Sequence, residues 1–248
     1  MVQVSPNKTS TVETSVEQLI ANKKICSTYR FVPQTIKPRD KAIIVGAGPS
    51  LEYEWEKIKG MSGDIFAIKT VDFLINRNII PDYSVHYDPK DTELARFSYH
   101  PDITYLVGDQ CTPGLYSVLY DMKCKVHVVP SRLHPDFHES EFYFAGSNSA
   151  LATLIYCFKM GYKCVHFFGV DMSFETQTHV DRNSDWYAWK ENVIEMYGYK
   201  TTTNMWYSCE DIVSNIRKMT PTMCIYTHGD NLLSHVRENI FGLTKRPI

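Results

Sequence analysis

The sequence predicts an α/β fold in which a mostly parallel sheet carries helices on both faces. Three observations predict it. Short apolar runs with β-branched residues alternate with segments of helical period along most of the 248 residues, the pattern of strands buried on both faces. The first run ends in Gly46-Ala47-Gly48-Pro49-Ser50, where two glycines permit a tight turn and proline is preset for a helical start. Late in the chain a long helix closes on Gly161 and leads directly into the apolar run CVHFF, a second helix-to-strand unit.

The elements follow in order. Residues 1–15 are polar and rich in Ser and Thr; Val16–Lys24 fits a short helix and Tyr29–Pro38 an extended connector. Residues 1–40 thus stand as an N-terminal extension before an α/β domain over 41–248. Strand Ala42–Val45 leads to a helix over Leu51–Lys59, strand Asp64–Lys69 to a helix over Val71–Asn76, and Ser84–Tyr87 follows Pro81-Asp82 as a third strand. Ile103–Val107 and Lys125–Val129 are further strands. Ser147–Met160 is the clearest helix, with apolar Leu151, Leu154, Ile155 and Phe158 on one stripe. Strand Cys164–Phe168, helix Glu210–Lys218 and strand Met223–Tyr226 complete the alternation. The polar and aromatic stretch Glu175–Ser208 has no clean period and is read as a lid or substrate loop.

Composition bounds the function. Lys and Arg number 26 against 28 Asp and Glu, a net charge of −2, which gives no field to hold a nucleic acid backbone. Seven cysteines without a C-x-x-C pair fit reduced buried thiols rather than zinc or disulfides. The N-terminus has no apolar signal core and no run reaches membrane-spanning length, so a cytoplasmic protein without a membrane partner is expected; a homo-oligomer is admitted. The Walker-type G-x-x-x-x-G-K-[ST], the kinase signatures and G-x-S-x-G are all absent.

In open α/β sheets ligands lie beyond the carboxyl ends of the strands. There the sequence places Gly46, Gly48, Pro49 and Ser50 after the first strand, Lys69, Thr70 and Asp72 after the second, and Asp88 after the third. Asp109 follows the fourth; Asp171, with His179 beyond it, follows CVHFF; His228, Asp230 and Asn231 follow the last. The glycine turn opening a helix is an anion site by its free N–H groups. Gly146, Ser147, Asn148 and Ser149 open the long helix in the same way. Asp88 and Asp171 are candidates to hold Mg²⁺ against phosphate oxygens, although each aspartate also suits a helix cap or turn. His179 is a candidate general base. Trp186, Tyr187 and Trp189 suit either stacking on a base or packing onto the core.

Three segments carry a resemblance: IIVGAGPSL (43–51), IIPDYSVHYDP (79–89) and GSNSALATLIYCFKMGYKCVHFFGVDMSFETQTH (146–179). Together they resemble the 6-hydroxymethylpterin diphosphokinase-like (MptE-like) proteins, which share a Rossmann-like fold with motility accessory factor proteins that glycosylate flagellin. They also look related to bacterial sialyltransferases of the Campylobacter type. In these families G-x-G-P-S-L takes the place of a dinucleotide fingerprint, and Leu51 stands where that fingerprint has its third glycine. The resemblance covers most of 41–179, and CIYTHGDNLLSHV (224–236) is similar to the end of the sialyltransferase domain.

The resemblance implies a transferase with a bound nucleotide, either ATP with Mg²⁺ or a nucleotide sugar. Gly46, Gly48, Pro49 and Ser50 would line phosphates, Gly146, Ser147 and Asn148 would face nucleotide or substrate, and Thr70 belongs to the same cofactor-binding set. Asp88 and Asp171 would hold metal or ribose, and Asp88, Asp171 and His179 make the catalytic set. The first expectation is pyrophosphoryl transfer from ATP to a hydroxyl of a small acceptor such as a hydroxymethylpterin. The alternatives are glycosyl transfer to a small-molecule or glycan acceptor, and a nucleotide-binding module without activity.

Overall fold

Seven parallel strands form one sheet in the order β5-β4-β3-β2-β1-β6-β9. They are β1 (Lys41–Val45), β2 (Asp64–Ala67), β3 (Tyr83–His86), β4 (Thr104–Gly108), β5 (Lys125–Val129), β6 (Cys164–Phe168) and β9 (Cys224–Thr227). The computed structural model describes residues 15–130, 148–175, 193–240 and 242. From β1 the chain winds outward through β2 to β5, then returns to set β6 on the other side of β1, with Lys41 to Val45 in register against Cys164 to Phe168. β1 and β6 are therefore the neighbours at which the winding reverses, where a crevice opens in such sheets. The fold is Rossmann-like, as the alternation predicts.

The inner strands read as apolar runs because both faces are covered. Ile43 and Val45 face one core with Leu51 and Ile58 of α2 (Leu51–Lys59), Val71 and Leu74 of α3 (Val71–Ile75), and Leu115 and Leu119 of α4 (Pro113–Asp121). Ala42 and Ile44 face the other with α5 (Ser149–Met160), α6 (Thr203–Met219) and α7 (Leu232–His235). α5 stops where predicted, at Gly161 with φ 87°, a left-handed conformation that glycine adopts at no steric cost.

Some elements differ from the sequence expectation. β2 ends two residues early because Lys69 turns to φ 61°. α4 is an additional helix, opened by Thr112, whose hydroxyl accepts from Gly114 N, with Pro113 in the first turn. Part of the expected lid is regular structure: β7 (Val193–Met196) and β8 (Tyr199–Thr202) form an antiparallel hairpin. Its turn residues Tyr197 and Gly198 both have positive φ, 54° and 82°, the backbone of a tight hairpin turn. α6 starts at Thr203, seven residues ahead of the expected Glu210, because the Thr202 hydroxyl caps it by accepting from Met205 N.

The segment before β1 is built into the domain. α1 (Val16–Cys26) buries Asn22, whose Nδ2 donates to Pro89 O at 3.3 Å and Gln110 O at 3.2 Å. Lys23 pairs with Asp109 at 3.2 Å. Tyr29 and Phe31 then lie against Tyr116 and Tyr120 of α4. At the amino edge Asp82 accepts from Ile65 N at 2.8 Å and Arg39 Nη2 at 3.1 Å, shaping the approach to β3. All seven cysteines are free, and no helix among the described residues is long and apolar enough to cross a membrane.

Candidate functional site

At the switch point the loops after β1 and β6 cross in direct contact. Gly46 N donates to Phe168 O at 2.8 Å and Gly48 N to Gly169 O at 2.7 Å. A Cβ on Gly46 would lie 2.5 Å from Gly169 O, and one on Gly48 would lie 2.6 Å from Asp171 Oδ2. The two glycines are required because another loop of the chain approaches this closely. Asp171 then reaches the amino end of α2: Ser50 N donates to its Oδ2 at 2.7 Å and the Ser50 hydroxyl to its Oδ1 at 2.5 Å. Asn231 Nδ2, from the loop after β9, donates to the same Oδ1 at 3.1 Å.

This geometry changes the role of the glycine turn. The sequence expectation places phosphate on Gly46, Gly48, Pro49 and Ser50. In the structure the N–H groups of Gly46, Gly48 and Ser50 are all bonded to acceptors of the chain itself, and Pro49 has none to give. A carboxylate already sits where a helix amino end would take an anion. Burial is the largest influence on Asp171 and raises its pKa from the ordinary 3.8 to about 6, opposed by the donors from Ser50 and Asn231.

Beside this crossing lies a cavity of about 180 Å³. The crossing loops form one wall, Lys69 and Ile68 beyond β2 a second, and the amino end of α5 a third; Met172 and Met205 add apolar surface. Asn148 caps α5 by accepting from Leu151 N at 2.9 Å. The next two N–H groups, those of Ser149 and Ala150, have no partner within the helix because first-turn donors lie ahead of any helical acceptor. Both residues line the cavity. The Nδ2 of Asn148 is buried without a hydrogen-bond partner.

The remaining expected residues divide. Thr70 lies outside the cavity wall, buried, with its hydroxyl donating to Val45 O at 3.1 Å. Asp88 accepts from Lys90 N at 3.1 Å in a local turn. Gly146, Ser147 and His179, with Trp186, Tyr187 and Trp189, lie outside the described residues. Asp88 and Asp171 are not brought together: two strands separate β3 from β6, a span of about 14 Å at the usual strand spacing. An ion with oxygen ligands at about 2.1 Å does not join carboxylates so placed; Asp88 is turned to the backbone of its own turn and Asp171 to Ser50 and Asn231. Among the described residues no group of three or more His, Cys, Asp or Glu is arranged to hold a metal ion. The expected Mg²⁺ pair therefore does not fit this geometry.

Met205 and Ser173 are among the contributors that sequence reasoning does not reach. Met205 reaches the cavity from the first turn of α6, and the Thr202 cap would have signalled that turn. Ser173 lines the cavity and fixes the β6 loop to α7, its hydroxyl accepting from Leu232 N at 3.1 Å. No sequence signal marks Ser173.

A family model described as 6-hydroxymethylpterin diphosphokinase MptE-like matches residues 14–177. The match takes in α1, ahead of the expected boundary at residue 41. No curated protein matches the chain in sequence. Among solved structures, monofunctional α-2,3-sialyltransferase Cst-I from Campylobacter jejuni is similar over 83% of this chain and 82% of its own. The identity is 13% and the TM-score 0.42, too low for the likeness to bear on the site.

Proposed function

Because the chain belongs to the 6-hydroxymethylpterin diphosphokinase MptE-like family, we propose that it is a nucleotide-using transferase whose substrate occupies the cavity between the carboxyl ends of β1 and β6. One observation carries the reading. The first-turn N–H groups of α5 open into a cavity at the winding reversal of the sheet, the position and the donor chemistry suited to a nucleotide.

Within that class the first reading is pyrophosphoryl transfer from ATP to the hydroxyl of a small acceptor such as a hydroxymethylpterin, supported by the family's description. The acceptor oxygen attacks the β-phosphorus, the bond to the oxygen bridging the α- and β-phosphorus breaks, AMP leaves with that oxygen, and the hydroxyl proton passes to base or solvent. The chain contributes positioning and fixed donors to such a step. The separation of Asp88 from Asp171 favours a second reading, glycosyl transfer from a nucleotide sugar, which has no need of that carboxylate pair.

A thermal-shift panel of ATP, CMP, UDP-sugars and GDP-sugars, each with and without Mg²⁺, tests both. Stabilisation by ATP, with AMP released on adding the pterin, is expected. Stabilisation by CMP or a sugar nucleotide instead replaces the first reading with the second. Binding without turnover of any donor marks a nucleotide-binding module, and no shift with any nucleotide overturns the proposal.

A further inference from the structure

The cavity has a chemical polarity that the glycine turn conceals. Lys69 is the one cation among the described residues that line it. The amino end of α5 lines the same cavity, where the dipole and the N–H groups of Ser149 and Ala150, which have no acceptor within the helix, favour negative charge. Asn148 supplies an independent observation: its Nδ2 is buried with no acceptor, a state that costs free energy until an acceptor arrives. The opposing carboxylate, Asp171, has its oxygens engaged by Ser50 and Asn231. A cation, an orphaned amide donor and a helix amino end thus border one space.

We propose that Lys69, Asn148 and the first turn of α5 seat the anionic phosphoryl part of the ligand, and that the glycine turn after β1 takes no part in holding it. This rests on the nucleotide reading for the identity of the ligand, but the anion seat itself is a property of these residues. Lys69 is a binding and positioning residue that distinguishes nucleotide from nucleoside.

Isothermal titration of the full chain with inorganic pyrophosphate, ATP and adenosine provides the test. Lys69→Asn removes the charge while keeping a residue that tolerates the left-handed backbone at φ 61°; Lys69→Arg keeps the charge. Asn148→Asp keeps an oxygen to cap α5 and exchanges the orphaned donor for negative charge. Lys69→Asn and Asn148→Asp are each expected to weaken ATP and pyrophosphate by roughly tenfold or more, the scale of a hydrogen bond to a charged group. Adenosine affinity stays unchanged and Lys69→Arg retains most of the binding. Wild-type affinity for both anions that survives Lys69→Asn and Asn148→Asp overturns the inference while leaving the nucleotide reading intact. Binding of pyrophosphate that depends on Lys69, without binding of any nucleotide, upholds the seat and overturns the nucleotide reading. Binding of neither anion by the wild type overturns both.

Discussion

Gly46→Ala separates a structural crossing from a ligand cradle more cleanly than any other substitution in the turn. Gly46 is not among the residues of positive φ, so alanine brings no backbone penalty and only the added methyl acts. That methyl would lie 2.5 Å from Gly169 O and 3.0 Å from a Val170 methyl, where ordinary contact begins at 3.4 Å. The obstacle is backbone in a loop pinned by Leu233 N on Asp171 O, so the β1 and β6 loops must part by nearly an ångström. Overpacking of this kind costs about 1–3 kcal/mol. Parting the loops also stretches Gly46 N to Phe168 O and Gly48 N to Gly169 O, each worth about 0.5–1.5 kcal/mol. The expected loss of about 2–6 kcal/mol corresponds to a fall in Tm of roughly 4–24 °C in a chain of this size. Circular dichroism melting and urea unfolding measure it. A variant that melts within a degree or two of the wild type but no longer binds nucleotide would refute the crossing and restore the glycines as a phosphate cradle.

Other perturbations address the surroundings of the same edge. Asp171 titrates at about 6 in the fold against an ordinary 3.8, so the folded state holds the proton more tightly. Its contribution to stability is then complete below about pH 4 and is lost as pH rises through 6, up to about 3 kcal/mol at about 1.4 kcal/mol per unit. Urea unfolding between pH 4 and 7 should show that decline in the wild type and a flatter profile in Asp171→Asn; parallel profiles would disprove it. Asn22→Ala leaves Pro89 O and Gln110 O without their donor and should cost about 1–3 kcal/mol, whereas an N-terminal extension merely appended to the domain would lose nothing measurable. Thr202→Ala removes the cap of α6 and should lower stability by about 1 kcal/mol, read as a shift of the urea midpoint without a change in slope.

The central sheet was legible because its inner strands are buried on both faces, which favours apolar and β-branched composition. β1, β6 and α5 follow the sequence expectation closely for that reason. α4 was missed although Thr112-Pro113 is a sound helix start, because the apolar residues of its nine, Pro113–Asp121, fall in a pattern that strand and helix share. The hairpin of β7 and β8 was missed because its tight turn, Tyr197-Gly198, has a tyrosine at φ 54°, a residue that does not advertise such a backbone. The site itself was half legible. The carboxyl edge, Asp171 and Asn148 follow from strand order and helix caps, but which residues answer one another across that edge depends on crossings that no local pattern encodes.

The glycine turn shows why. A G-x-G after a strand states that something comes within about 3 Å of the backbone; it does not state whether that something is a ligand or another loop of the same chain. Here Gly169 occupies that approach and Asp171 fills the helix amino end behind it. Among the helices whose amino ends lie at this edge of the sheet, α2 and α5 each by itself would attract an anion. Because α2 is satisfied internally by a carboxylate, an incoming anion meets favourable charge, among the described residues that line the cavity, at α5 and Lys69. The internal bond thereby gives the cavity a direction, anion toward α5 and neutral parts toward Met172 and Met205, so that Asp171 acts on the ligand by occupying the seat the ligand would otherwise share.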